Sequence, residues 1–289
     1  MSKLTRPPAS DRGYFPSGSI LRKVHEERIV GTLYGPRALL MQACDPVAFT
    51  GLMSTTRGAD KPFKRLSSTA RHMETVFFGS CAQADRVTRS VRKMHERVHG
   101  TIDEQVGPYP AGTRFDATAP DTAFWILACL ADSALAVYTA FIGSLTPAEL
   151  DSFWQDYLTV GEMFGLSRSD MPHTYRQFRA YMTDRLDSAG LYVTAEASSL
   201  GKRVAFAPPV PLPGLPALLW ADFSIIALLP QRVRDLYGLP WNLAFEAAFQ
   251  LTSFKVRLAM RFVPGVLRHG SSALQYELVA QTEKARLRG

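Results

Sequence analysis

Apolar residues in this chain recur at spacings of three and four along most of its length, and no segment alternates apolar and polar residues convincingly. A spacing of three and four gathers side chains on one face of a helix, whereas a strand needs a period of two, so the pattern predicts an all-α protein. Proline and glycine then mark where helices start and stop. Gly35-Pro36 opens a helical segment from Arg37 to Ala43, Asp45-Pro46 stops it, and Pro46 can begin a short helix toward Leu52. A polar loop with Gly58 and Asp60 leads to Pro62, from which the chain reads as helix to Phe78, where Gly79 breaks it. Thr146-Pro147-Ala148-Glu149 supplies an N-cap, a first-turn proline and a capping-box acid in order, launching a helix toward Phe164. Further helices are expected over residues 121–142 and from Ser169 or Asp170 to Ser188, and apolar segments follow at 218–229 and 240–262. The proline-rich stretch 208–216 serves as an extended connector. Segments on both sides of it are equally apolar and need the same core, so a single domain is expected, with no internal repeat. Its parts are a polar N-terminal arm (1–30), the helical domain (31–268) and a C-terminal helical tail (269–289).

Composition narrows the function classes. The net charge of +7 is spread along the chain without a basic run or aromatic-basic interleaving, which argues against nucleic-acid binding. Cys44, Cys81 and Cys129 lie far apart with no C-x-x-C pair, against a disulfide framework or a cysteine-built zinc site. With a polar start lacking the apolar core of a signal peptide, this points to a reducing, cytoplasmic setting. The apolar stretch 123–131 is closed by Asp132, and the one at 239–262 carries Glu246, Lys255, Arg257 and Arg261. Neither reaches the ~18 uncharged residues of a spanning helix, while peripheral membrane contact stays open.

Two of the six histidines fall within His95-Glu96-Arg97-Val98-His99, a match to the H-E-x-x-H pattern of zinc hydrolases. There, two imidazoles one helical turn apart bind zinc and the glutamate activates water. From Ala82 the apolar positions Ala84, Val87, Val91, Met94, His95 and Val98 make one helical stripe, turning both histidines toward protein, with Gly100 as cap. Gly100 also leaves His99 on a fraying end, and His25, His72, His173 and His269 offer no evident third-ligand motif. A plainer reading makes His95 a hydrogen-bonded core histidine and His99 a helix-end residue interacting with the dipole. A third makes His95 the single imidazole that haem iron needs, emerging from an apolar wall of Val87, Val91, Met94 and Val98. On the preceding helix Arg65, Thr69 and His72 or Met73 fall at successive turns. An arginine so placed can pair with a haem propionate, and a threonine hydroxyl can donate to bound dioxygen; alternatively they make a surface ion pair and a helix back-bond.

The order of these residues resembles a known family. The run Gly35-Pro36-Arg37-Ala38-Leu39-Leu40-Met41-Gln42, then Asp45-Pro46, Arg65-Leu66-x-x-Thr69, Val76-Phe77-Phe78-Gly79 and Val91-Arg92-x-Met94-His95-x-x-Val98-x-Gly100 is similar to the MpaB-type oxygenases, which include the catalytic domain of the latex-clearing rubber oxygenase. Gly112-x-x-Phe115, Trp125, Asp132-Ser133, Leu228-Leu229-Pro230, Arg234 and Tyr237-Gly238-Leu239-Pro240-Trp241 continue the likeness. The resemblance implies a globin-like helical fold holding haem b in a pocket, with dioxygen acting on a hydrophobic small molecule or lipid. Carried over, His95 stands at the axial histidine, as metal ligand, and Arg65 and Thr69 at the arginine and threonine of the haem pocket, as cofactor-binding and catalytic residues. His99 stands where relatives often have arginine. Relatives also commonly show histidines where this chain has Asp45, Leu127 and, nearby, Met53, and the rubber oxygenase a basic glutamate for which residues 49–55 offer no carboxylate. Two other readings remain beside this one, a zinc hydrolase using His95, Glu96 and His99, and a non-catalytic helical binding protein of the same fold.

Overall fold

In the computed structural model, which describes residues 13–54, 62–209 and 214–286, the helix that organises the rest is the apolar one at the centre of the sequence. Pro120, set for the first turn where its missing N–H costs nothing, starts a helix that runs to Phe141. It is buried nearly all round, through Phe124, Trp125, Ala128, Ala131, Val137 and Phe141 among others. It is the one helix among the described residues long and apolar enough to cross a membrane, and 78% of its apolar window lies inside the protein. A stretch apolar on every face is what a central core helix requires.

In chain order the helices are α1 (Ile20–His25), α2 (Arg28–Gln42), α3 (Pro46–Ser54), α4 (Pro62–Phe78), α5 (Cys81–His95), α6 (Pro120–Phe141), α7 (Pro147–Phe164), α8 (Tyr175–Asp187), α9 (Ala195–Phe206), α10 (Leu215–Leu228), α11 (Gln231–Tyr237), α12 (Leu243–Met260), α13 (Gly265–Arg268) and α14 (Ser272–Arg286). Among the described residues the protein is all-α apart from a two-stranded antiparallel ribbon, β1 (His99–Thr101) with β2 (Arg114–Asp116). Helix α2 lies along α6, α9 and α10 pack on α2, α12 on α6, and α7 joins α1 and α5. The stretch leading in from the N-terminal side feeds the same core: Phe15, Leu21, Val24 and Val30 are all buried in it. The loop around Gly58 and Asp60 and residues 210–213 of the proline-rich connector lie outside the described residues.

Local signals set several boundaries as expected. The Thr146 hydroxyl accepts from Glu149 N at 3.2 Å while the Glu149 carboxylate accepts from Thr146 N at 2.8 Å, a complete capping box, and Gly165 closes α7 at φ 104°. Helix α2 departs from expectation. It begins at Arg28 and carries Pro36 in its interior. A proline there deprives the carbonyl four residues back, that of Thr32, of its donor. The Tyr276 hydroxyl of α14 replaces it, reaching Thr32 O at 2.8 Å and Gly31 O at 3.0 Å. Gly35 makes room, since a Cβ there would lie 3.1 Å from that hydroxyl. Helix α8 likewise starts later than expected, at Tyr175, after a 3₁₀ turn over Arg168–Asp170.

A half-buried carboxyl on α10 makes no hydrogen bond among the described residues. Asp222 of α10 has its Oδ1 sealed from solvent with no hydrogen bond among the described residues, and burial pushes its pKa up to about 7. A carboxyl raised in the folded state binds its proton more tightly there than in the unfolded chain, so its contribution is least unfavourable at low pH and worsens as pH climbs from about 4 to 7. Asp222→Asn is therefore expected to raise stability at pH 8 by about 1–2 kcal/mol, a figure reduced for the solvent that still reaches the side chain. Thermal melts of both proteins at pH 8 and pH 4.5 check this. An equal offset at the two pH values would contradict it.

Candidate cofactor site

Helices α4 and α5 form an antiparallel hairpin across Gly79 and Ser80, with the Ser80 hydroxyl and Gln83 side chain making the capping box that starts α5. Helix α4 turns Phe63, Ala70, Met73, Val76 and Phe77 inward, and Ala70 packs with Ala273 and Tyr276 of α14. The remaining face carries Arg65, Thr69 and His72 at successive turns. In such a hairpin the N-terminal turn of α4 lies level with the C-terminal turn of α5, which brings Arg65 alongside His95.

Arg65 donates from Nη1 to the carbonyl of Leu52 at 3.1 Å, placing its cation at the negative end of α3. Burial lowers its pKa from the ordinary arginine value. His95, the last residue of α5, is half-buried; burial first, and the Arg65 charge second, hold its pKa below the usual histidine range. Its imidazole makes no hydrogen bond among the described residues, so its ring nitrogens are uncommitted there. Thr69 is exposed. His72 is half-buried, its pKa lowered by burial and by Arg71.

The H-E-x-x-H spacing does not become a helical pair. Helix α5 ends at His95, Glu96 and Arg97 turn, and His99 enters β1 opposite Asp116. Gly100 is not a cap but a strand residue whose missing Cβ admits the Phe115 ring, to which a Cβ would approach within 2.8 Å. Pairing with β2 outweighs one more helical turn because Val98 thereby buries with Ile102 and Phe115. The expected apolar wall is altered accordingly: Val98 belongs to the ribbon, and Met94 is 49% exposed. No cluster of three or more metal-ligating side chains occurs among the described residues. The paired-histidine zinc geometry is thus not formed.

The positions that the resemblance matched to histidines are framework in this protein. Asp45 caps α3, accepting from Val47 N at 2.9 Å and Ala48 N at 3.0 Å, and forms an ion pair with Arg185 of α8. Arg185 in turn sits over the Trp125 ring, 5.5 Å from its centroid. Leu127 is buried in the main core, and Met53 packs beside Phe49 and Ala197. The other motif residues are structural too. Arg37, buried in α2, donates to Asp132 at 2.9 Å, Ser133 at 2.7 Å and the Leu228 carbonyl at 2.8 Å, tying α2, α6 and α10 together. Arg234 caps the end of α10 through the Leu229 carbonyl at 2.8 Å, and the Tyr237 hydroxyl donates to Leu40 O at 3.0 Å.

A haem asks a protein for one neutral imidazole and a cation for a propionate, because the macrocycle brings four nitrogens of its own. His95 and Arg65 are the residues that would meet that demand. An open groove of about 700 Å³ against the ribbon is lined instead by Val47, His99, Arg114 and Asp116, so the fit rests on the donors and not on that concavity. Sequence reasoning named Arg65, Thr69 and His95; the proximity of Arg65 to His95 it could infer only from the bend at Gly79.

Among known proteins, the family model for the catalytic domain of the ER-bound oxygenase mpaB/B′ and rubber oxygenase matches residues 22–264. Comparison with curated proteins and with solved structures gave no match. A match over most of the chain, from α1 to the turn before α13, shows that this protein belongs to the MpaB/rubber oxygenase catalytic-domain family.

Proposed function

We propose that the chain is a haem b-dependent oxygenase that uses dioxygen on a hydrophobic small molecule or lipid. The observation that carries this is the half-buried, unbonded His95 imidazole beside the Arg65 guanidinium, in a chain of an oxygenase family. Haem, when bound, supplies the redox-active iron that dioxygen chemistry requires. The protein's own part is narrower. His95 offers an uncommitted nitrogen, and the low-dielectric surroundings with the neighbouring Arg65 charge keep it unprotonated below the usual histidine pKa. Arg65, pinned by the Leu52 carbonyl, holds a fixed positive charge where a carboxylate would be received. Thr69, one turn on, presents an exposed hydroxyl able to donate to an oxygen atom. The globin-like character of the bundle and its haem pocket belong to this reading. So does a cytoplasmic setting, which three buried free cysteines support.

Reconstitution with haemin tests it. The wild type should give a Soret band at one equivalent, His95→Ala should lose or shift it, and Arg65→Ala should weaken binding by about tenfold, the loss of one charge-assisted contact. His99→Ala should behave as wild type. Failure of the wild type to bind, or a band indifferent to His95, overturns the proposal. A second reading, a binding protein that has kept the fold without the chemistry, is favoured by Asp45, Met53 and Leu127, which put structural side chains where relatives carry histidines. It predicts a colourless protein after the same treatment.

A further inference from the structure

Helix α12 is apolar on two faces. One, with Phe249 and Ser253, packs on α6, where the Ser253 hydroxyl donates to the Ala140 carbonyl at 2.7 Å. The other carries Leu251, Phe254, Leu258 and, just past the helix, Phe262, spaced by three and four and all exposed. The chain then turns into α13, where Val266 and Leu267 continue the stripe; Phe262 and Val266 are 80% and 81% exposed. Isolated exposed apolar residues are ordinary, but a continuous row of large ones on a folded protein marks a surface that is covered in use.

Charge says what covers it. Lys255 and Arg261 are exposed beside the stripe, and exposed Arg28 reaches the Leu267 carbonyl at 3.2 Å. Of the nearby acids, Glu27 is buried with Arg268 and Glu246 accepts from Trp241 and Gln250, while Glu26 faces His269 at 3.9 Å. From Ala247 to Leu267 the chain contains no acidic residue. Large apolar side chains flanked by lysine and arginine suit a bilayer surface with anionic headgroups, the rings entering the acyl boundary and the cations staying at headgroup level. A two-fold pairing of the same stripe would instead set Lys255 and Arg261 near their own copies. A spanning role is closed by the packed face on α6.

We infer that the α12–α13 stripe is a peripheral docking surface for an anionic membrane, with Phe254 and Phe262 as anchors and Lys255 and Arg261 as its electrostatic contacts. This stands apart from the cofactor reading and can be measured on haem-free protein. The experiment is cosedimentation of the full chain with phosphatidylcholine vesicles, with and without about one third phosphatidylglycerol, together with the oligomeric state in solution. The wild type should partition to the anionic vesicles and release with salt. Phe254→Ser with Phe262→Ser should weaken partition about tenfold or more. Lys255→Glu with Arg261→Glu should weaken it by at least fivefold per cation on anionic vesicles. All four sites are exposed, so melting temperatures should stay near that of the wild type. Protein left in the supernatant with both compositions overturns the inference. So does equal binding to neutral vesicles, or a stable dimer dispersed by Phe254→Ser.

Discussion

Asp132→Ala is expected to destabilise the fold by about 3–5 kcal/mol, because it strands the Arg37 guanidinium inside the protein without its counter-charge. Asp132 lies on α6 with its carboxylate almost wholly buried, accepting from Arg37 at 2.9 Å and from Arg179 at 2.6 Å. Arg37, equally buried, keeps only the neutral Ser133 hydroxyl and Leu228 carbonyl once the carboxylate is gone. A desolvated cation with neutral acceptors alone is costly, whereas Arg179, half exposed, can turn to water. Urea denaturation should therefore show a large loss for Asp132→Ala and under about 1 kcal/mol from the ion pair lost in Arg179→Ala. The melting temperature of Asp132→Ala should fall by roughly 10 °C. Equal losses for the two variants would mean that burial of Arg37 is not what gives Asp132 its weight.

Tyr276→Phe should cost about 1–3 kcal/mol, the penalty of leaving a buried carbonyl without a donor. Its hydroxyl serves Thr32 O, the acceptor that Pro36 cannot satisfy. The mechanism makes a sharper demand than a stability loss. Pro36→Ala restores an N–H to the interior of α2, so in that background Tyr276→Phe should cost clearly less, and a double-mutant cycle should give a coupling of about 1 kcal/mol. Additive losses would show that the hydroxyl is not repairing the proline gap. Ending the chain at Gly270 should be worse still. It removes Ala273 and Tyr276 from beside Ala70 and takes the Ser271 hydroxyl and Ala273 N–H, at 2.7 and 2.9 Å, from the Glu74 carboxylate. A truncated protein as soluble and as stable as the full chain would contradict the part given to α14.

The fold class, the α4–α5 hairpin and the starts of α3, α4, α6 and α7 were legible because each is written locally, in period, proline and cap. Arg65, Thr69 and His95 could be proposed from spacing and family resemblance, and the structure sets Arg65 beside His95 while leaving Thr69 exposed. The same resemblance gave no role to Arg37, Asp132, Arg234 and Tyr237, whose partners lie on other helices. The exposed stripe on α12 was hidden for a related reason: a helix apolar on two faces gives a periodicity that does not say which face meets the core.

The sequence by itself determined the helical class and where α3, α4, α6 and α7 start, since apolar period, first-turn prolines and caps act between near neighbours. Tertiary structure decided the rest. It carried α2 through Pro36 by means of a tyrosine 240 residues away, drew His99 out of the helix into a strand by offering it β2, and turned Asp45 into a cap paired with Arg185. Each of these rests on a partner distant in sequence, and its energy exists only once the chain has brought the two together.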